Sequence, residues 1–139
     1  MPRRILKLYS ILSAFVLCGA LLYASAASAE LAPQSSRAGG VSISVQPVEV
    51  SAGATTWKFK LVLDTHSGSL GDDLARTATL VDGTGKPHAA LGWEGDPAGG
   101  HHRSGVLTFK APSPPPEGLE LRIVRNGEAA PRVFRWNLK

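Results

Sequence analysis

Sulfur-containing residues are almost absent from this sequence. It contains one cysteine and one methionine, Cys18 and Met1, and both lie within the first 29 residues. Residues 30–139 therefore have no thiol, which excludes a disulfide framework, a thiolate nucleophile and a cysteine metal site from that part of the chain. The lack of thioether ligands also argues against a Cu(I) site, because soft sulfur donors select Cu(I).

Long apolar runs are also missing. The longest run, residues 11–22, is too short for a transmembrane span. Basic residues precede it, and a small-x-small pattern at residues 27–29 follows it. This order predicts a signal peptide at residues 1–29, cleaved before Glu30, and hence a periplasmic or secreted protein with no membrane span after cleavage. Retention of this segment as an N-terminal anchor is the alternative.

A strong charge of either sign is missing from residues 30–139. Three of the 15 Lys and Arg residues lie in the predicted signal peptide, while all 11 Asp and Glu residues follow it, which leaves a net formal charge of +1. A nearly neutral surface argues against electrostatic binding of nucleic acid and against a polybasic membrane patch. The partners that we expect are therefore a metal ion or an envelope protein.

Helical periodicity is missing as well. Short segments of alternating apolar and polar residues are separated by turn-forming residues, which is typical of an all-β domain. We predict a polar, flexible leader at residues 30–40 and one domain at residues 41–139. The predicted strands comprise residues 41–50, 57–63, 74–81, 89–93, 107–109, 119–123 and 134–138.

Seven strands in one domain match an immunoglobulin-like antiparallel β-sandwich, and a small antiparallel barrel is the alternative. In the first strand the apolar alternation changes phase at Pro47, which predicts a bulge or a change of sheet there. The cysteine pair of immunoglobulin domains is absent, so we expect Trp57, Trp93 and Trp136 to fill the centre of the core.

Three of the four histidines fall in two connections between predicted strands. The connection after the second strand begins with Asp64 and His66, and the connection after the fourth strand contains His101, His102 and Arg103. Consecutive antiparallel strands alternate in direction, so every second connection lies at the same end of the domain. The strand count therefore predicts that these five residues share one end, where they are the candidates for ligand binding.

Imidazole is a good ligand for Cu(II) and Zn(II), so His66, His101 and His102 are the candidate metal ligands. Adjacent side chains in a strand point to opposite faces, and His101 and His102 can bind the same ion only if Gly99-Gly100 bends the backbone. In the structural alternative, the imidazoles bond neighbouring carboxylates or carbonyls, and an Asp64–Arg103 ion pair ties the two loops together.

Catalysis by a Ser-His-Asp triad is not favoured. Asp64 and His66 could combine with Ser67 or Ser104, but neither serine lies in a G-x-S-x-G elbow. We therefore predict a non-enzymatic, exported binding module with a histidine-bearing end that binds Cu(II) or Zn(II). The alternative is a structural or protein-interaction module of the cell envelope in which the histidine loops are purely structural.

Five motifs stand out along the chain: Trp57-x-Phe59, LDTHS at 63–67, WEG at 93–95, GGHHRSGVL at 99–107 and FRW at 134–136. Together they resemble an uncharacterised family of small exported bacterial and archaeal proteins. The resemblance extends over nearly all of residues 41–138 and implies a compact envelope domain without an assigned activity. In size and sandwich shape alone, the chain also resembles periplasmic copper carriers, but their N-terminal ligand segments rich in histidine and methionine are absent.

Overall fold

The computed structural model describes residues 31–139, and the predicted signal peptide lies outside the described residues. Eight strands and one short helix form this part of the chain. Among its residues, no helix is both long and apolar enough to cross a membrane. The elements are β1 (Gln34–Ala38), β2 (Val41–Glu49), β3 (Thr56–Thr65), α1 (Leu74–Thr77), β4 (Ala78–Asp82), β5 (Pro87–Gly95), β6 (His102–Lys110), β7 (Gly118–Ile123) and β8 (Arg132–Asn137).

The strands form one antiparallel sheet in the order β1-β2-β3-β6-β5-β4-β7-β8. The all-β antiparallel prediction is confirmed, but the architecture differs from a seven-stranded sandwich of two sheets. Strand β5 joins the two halves, because it pairs with β4 near its beginning and with β6 after a register shift between Ala90 and Gly92. The sheet curls until β1 approaches β8, which gives a nearly closed barrel.

Two segments differ from the predicted elements. Residues 34–38 were expected in a flexible leader, but they form β1, which pairs with β2 through five residues across the Gly39-Gly40 turn. Residues 74–77 were expected at the start of a strand, but they form α1, in which the N–H groups of Arg76 and Thr77 bond the Asp73 carbonyl. The hydrogen bonds to Asp73 thus stabilise a helical turn where the apolar residues had suggested a strand.

The core follows the alternation in the sequence. Every second residue of β3 from Trp57 to Leu63 is apolar and at most 1% exposed. The Phe59 ring packs against the Phe109 and Trp136 rings at centroid distances of 5.8 Å. The phase change at Pro47 corresponds to a register shift between β2 and β3 at that residue. Side chains therefore fill the interior of the barrel.

Hydrogen bonds from side chains, rather than a ladder between the two backbones, join β1 to β8. The Gln34 side-chain amide bonds the main chain of Arg135, accepting from its N–H at 2.9 Å and donating to its carbonyl. The Trp136 indole N–H donates to the Ala32 carbonyl at 2.8 Å. Near the other end, the Arg132 guanidinium donates to the Ala38 carbonyl at 2.7 Å. We call this line of contacts the seam.

Candidate functional site

The two histidine-bearing corners meet at one end of the barrel. Asp64 at the end of β3 is the cross-strand partner of His102 at the start of β6. Their side chains are in contact, with 2.5 Å between His102 Nδ1 and Asp64 Oδ1. Next to them, the Thr65 N–H donates to the His101 carbonyl at 2.9 Å. The alternation of strand direction puts the two corners at one end, and the pairing of β3 with β6 makes them neighbours.

Backbone hydrogen bonds lock the two connections to each other. The Leu70 N–H donates to the Gly100 carbonyl at 3.1 Å, and the Gly99 N–H donates to the Leu70 carbonyl at 2.9 Å. Gly99 and Gly100 have φ values of 112° and 72°, which glycine adopts with little strain. The buried Thr65 hydroxyl adds a bond to the Gly40 carbonyl at 3.0 Å. The loops at this end are therefore fixed by the fold itself.

Arg103 lies inside the barrel end, although we predicted it among the ligand-binding residues. It is 4% exposed, and its guanidinium donates to the carbonyls of Leu70, Asp72 and Asp96 at 3.2, 2.5 and 3.2 Å. Its guanidinium carbon also lies 5.1 Å from the centroid of a Trp93 ring. Arg103 ties the loops together through carbonyl groups rather than through an ion pair with Asp64.

Gly105 makes room for the Trp93 ring on which Arg103 stacks. A Cβ atom at residue 105 would lie 2.5 Å from Trp93 Cζ2 and 2.6 Å from the Glu94 carbonyl oxygen. These distances are far below van der Waals contact, so the arrangement requires glycine. The Trp93 indole N–H donates to the Asp96 carbonyl at 2.9 Å, which fixes the ring. Trp93 of the WEG motif and Gly105 of the GGHHRSG motif therefore have structural roles.

A solvent-open depression of about 460 Å³ lies on the outer face of this end. Arg37, Ser42 and Asp64 line it from three neighbouring strands, and His66 lines it from the connection after β3. Arg37 pairs with Ser42, Ser42 with Asp64, and Asp64 with His102, so these four residues form one cross-strand row. We call this depression, including the adjoining His102, the histidine depression.

The predicted metal ligands divide into two groups. His66 and Asp64 line the depression, and the exposed His102 adjoins it through its contact with Asp64, while His101 is exposed and has no such contact. Imidazole and carboxylate are suitable donors for Zn(II) and Cu(II), so the donor set at the histidine depression fits these ions chemically. Within residues 31–139, no three His, Asp or Glu side chains are grouped closely enough to hold an ion as they stand.

A buried ionic network at the same end of the barrel was not predicted. Glu128 Oε1 lies 2.7 Å from Arg132 Nη2 and 3.2 Å from Arg125 Nη1, and Arg125 Nε lies 2.9 Å from Asp72 Oδ2. The hydrogen bond from Arg132 is the main reason that the pKa of Glu128 lies below its usual value. One signal was available: Arg132 continues the inward alternation of Phe134 in β8.

The fourth histidine lies at the opposite end of the barrel. His88 Nε2 is 2.9 Å from Asp82 Oδ2, in the turn between β4 and β5. Asp82 also accepts bonds from the hydroxyl and the N–H of Thr84. The Thr84 hydroxyl, followed by His88, holds the pKa of Asp82 far below its usual value. This cluster stabilises a turn and is separate from the histidine depression.

Similarity to known proteins is found among solved structures. No family model matches the sequence, and no curated protein matches it. Among solved structures, the chain is similar to the crystal structure of a DUF4426 family protein from Pseudomonas aeruginosa PAO1, with 15% sequence identity and a TM-score of 0.42. The match covers 75% of this chain and 93% of that one. The motif-based resemblance to small exported proteins stays a prediction.

Proposed function

We propose that this chain is a non-enzymatic, exported binding module, located in the periplasm or outside the cell after loss of its signal peptide. Its ligand is a Cu(II) or Zn(II) ion bound by His66 and His102, with Asp64 orienting the His102 ring. One observation carries the proposal: Asp64 contacts His102 and lines an open depression that His66 also lines, while Thr65 and Arg103 beside them are engaged in internal bonds. A rigid frame thus carries exposed donor groups.

The contact between Asp64 and His102 supports metal binding further. Because His102 Nδ1 faces the carboxylate, Nε2 is the ring nitrogen left to meet a ligand. Imidazoles that bind metals commonly donate their other N–H to a carboxylate, which fixes the ring and increases its basicity. The His102 side chain is 62% exposed and the Asp64 side chain 49%, so both can adjust to an ion without moving the core.

Thermal unfolding of tag-free residues 30–139 with and without metal tests this proposal. An ion at 100 times its Kd stabilises the folded state by about 2.7 kcal/mol, which corresponds to a rise in Tm of roughly 10–20 °C for a domain of this size. We expect the rise to disappear in the His66→Ala/His102→Ala double variant and to persist in His101→Ala, the matched control. An unchanged Tm at saturating Cu(II) and Zn(II), or an equal response of the double variant, would overturn the proposal.

The second candidate is a structural or protein-interaction module of the cell envelope whose histidine loops bind nothing. The backbone bonds between Leu70 and the Gly99-Gly100 turn favour it, because they show a locking role for the glycine motif. Under this candidate, metal changes the Tm of neither the unchanged protein nor the His102→Ala variant. His102→Ala itself has little effect without metal under either candidate, because exposed pairs contribute about 0–1 kcal/mol.

A further inference from the structure

We infer that the seam takes an extended, acidic peptide segment of another protein as an additional strand between β1 and β8. These two strands are the edges of the sheet, because β1 pairs only with β2 and β8 pairs only with β7. Addition of a strand to an open sheet edge is a common mode of peptide recognition. The inference goes beyond the proposed function, since it concerns main-chain groups at the closure of the barrel and involves no metal ion.

Main-chain groups that face each other across the seam are left without partners. Arg135 faces β1, because its N–H donates to the Gln34 side chain at 2.9 Å, and Val133, two residues earlier, faces the same way. On β1, Ser35 and Arg37 are the residues that face away from β2 in the two-residue hairpin. The main-chain groups of Ser35, Arg37 and Val133 have no hydrogen-bond partner within residues 31–139. The seam therefore offers free donors and acceptors from both of its sides.

The Gln34 side chain takes the place of a peptide group of a neighbouring strand. Its amide accepts from the Arg135 N–H and donates to the Arg135 carbonyl, which is the pair of bonds that a residue of an antiparallel strand makes. Pro33, the preceding residue, has no N–H to donate. A side chain leaves such a position by rotating about its own bonds. The main chain at Arg135 can therefore pair with an added strand that displaces the Gln34 amide.

The seam has to widen by a small distance to admit a strand. Cα atoms of β1 and β8 lie within 8 Å of each other, although no ladder joins the two strands. Neighbouring strands are about 4.8 Å apart, so a strand between β1 and β8 needs about 10 Å. The widening breaks bonds donated by side chains, such as that from Trp136 to the Ala32 carbonyl, and leaves both existing ladders intact. New main-chain bonds to Ser35 and Val133 offset these losses.

The charge beside the seam favours an acidic segment. Arg37 and Arg135 are exposed on the two flanking strands, and Arg135 shares the Glu120 carboxylate with Arg122. Three arginines and one glutamate leave an excess of positive charge. Carboxylates on alternate residues of an added strand would lie on the same outer face as Arg37 and Arg135. A second copy of this chain would place like charges together at this face, so an acidic partner is favoured over self-pairing.

Fluorescence polarisation with tag-free residues 30–139 in EDTA and a fluorescein-labelled peptide of alternating Thr and Glu tests the inference. We expect saturable binding that weakens about fivefold in Arg37→Gln/Arg135→Gln, because two exposed ion pairs are lost. Binding should tighten about threefold in Gln34→Ala, because the competing amide is gone. Arg76→Gln is the matched control, since Arg76 is an exposed arginine of α1, and it should bind as the unchanged protein does.

Two further measurements distinguish strand addition from attraction between charges alone. The same peptide methylated at its Thr main-chain nitrogens should bind poorly, because it cannot pair on both edges. The unmodified peptide should slow hydrogen exchange at the Val133 N–H. Absence of peptide binding, equal binding of the methylated peptide, or unchanged Val133 exchange would overturn the inference. A dimer of the peptide-free chain that protects the Val133 N–H would also overturn it, by assigning the seam to a second copy. The metal proposal is unaffected by these outcomes, since EDTA is present throughout.

Discussion

Neutralising Glu128 should be among the most damaging conservative substitutions in the domain. The Glu128 carboxylate is 14% exposed and balances two arginines whose side chains are 4% and 8% exposed, Arg132 and Arg125. Breaking a buried ion pair costs about 3–5 kcal/mol, because the remaining charge stays buried. Glu128→Gln keeps the shape and one acceptor, and Arg125 keeps Asp72, so we expect the low end, about 3 kcal/mol. The Tm should fall by roughly 12–24 °C.

The effect of Glu128→Gln should depend on pH. The pKa of Glu128 is lowered from its usual 4.5 in the folded state, so the unfolded state binds the proton more readily. The stabilisation is therefore complete above about pH 4.5 and is lost as the pH falls through the folded-state pKa. In calorimetric melts, the Tm difference between the unchanged protein and Glu128→Gln should be smaller at pH 3 to 4 than at pH 7.

The control for this measurement is an exposed ion pair. Glu49 lies 3.3 Å from Lys58, and both side chains are nearly half exposed. Glu49→Gln should change the stability by at most about 0.5 kcal/mol. If Glu128→Gln lowered the Tm no more than Glu49→Gln did, the reasoning on the buried network would be refuted.

Two further substitutions test the packing at the barrel end and at the seam. Gly105→Ala should destabilise the domain by about 3 kcal/mol or more, because the added Cβ would overlap the Trp93 ring and the adjacent backbone. In the control Gly92→Ala, the added Cβ meets no atom within 4 Å, so the free energy of unfolding in chemical denaturation should hardly change. Gln34→Ala should cost about 0.5–1.5 kcal/mol and speed hydrogen exchange at the Arg135 N–H, which loses its acceptor. An Arg135 exchange rate that does not change would contradict the proposed role of the seam.

Much of the fold could be predicted because local patterns encode it. The alternation from Trp57 to Leu63 defines a strand with one buried face, and the phase change at Pro47 locates the register shift. The β1 strand was not predictable in this way, because its residues are polar and its partners in β8 lie about a hundred positions away. Contacts between a Gln34 amide and a distant main chain leave no periodic signal. The closure of the sheet therefore could not be predicted from the alternation of apolar and polar residues.

The candidate site could likewise be predicted from the sequence only in part. Strand direction predicts that Asp64 and His102 lie at the same end, and the unpredicted pairing of β3 with β6 brings them into contact. The position of Arg103 was not predictable, because a charged residue beside histidines suggests ligand binding as readily as an internal role. At the end of a barrel, a long arginine can face inward and still reach loop carbonyls, as Arg103 and Arg132 do. Such positions follow the inward alternation of their strands.

The seam joins the first strand of the domain to the last. The Gln34 and Arg135 groups that meet there are 101 residues apart, and the Trp136 and Ala32 groups are 104 apart. Ordering so long an intervening segment is entropically costly before any contact rewards it, so such contacts are slow to form. A chain that leaves the ribosome or a translocon N-terminus first cannot close its barrel until its last residues have emerged. A barrel that stays open until then is thus a direct result of where Gln34 and Arg135 lie in the sequence.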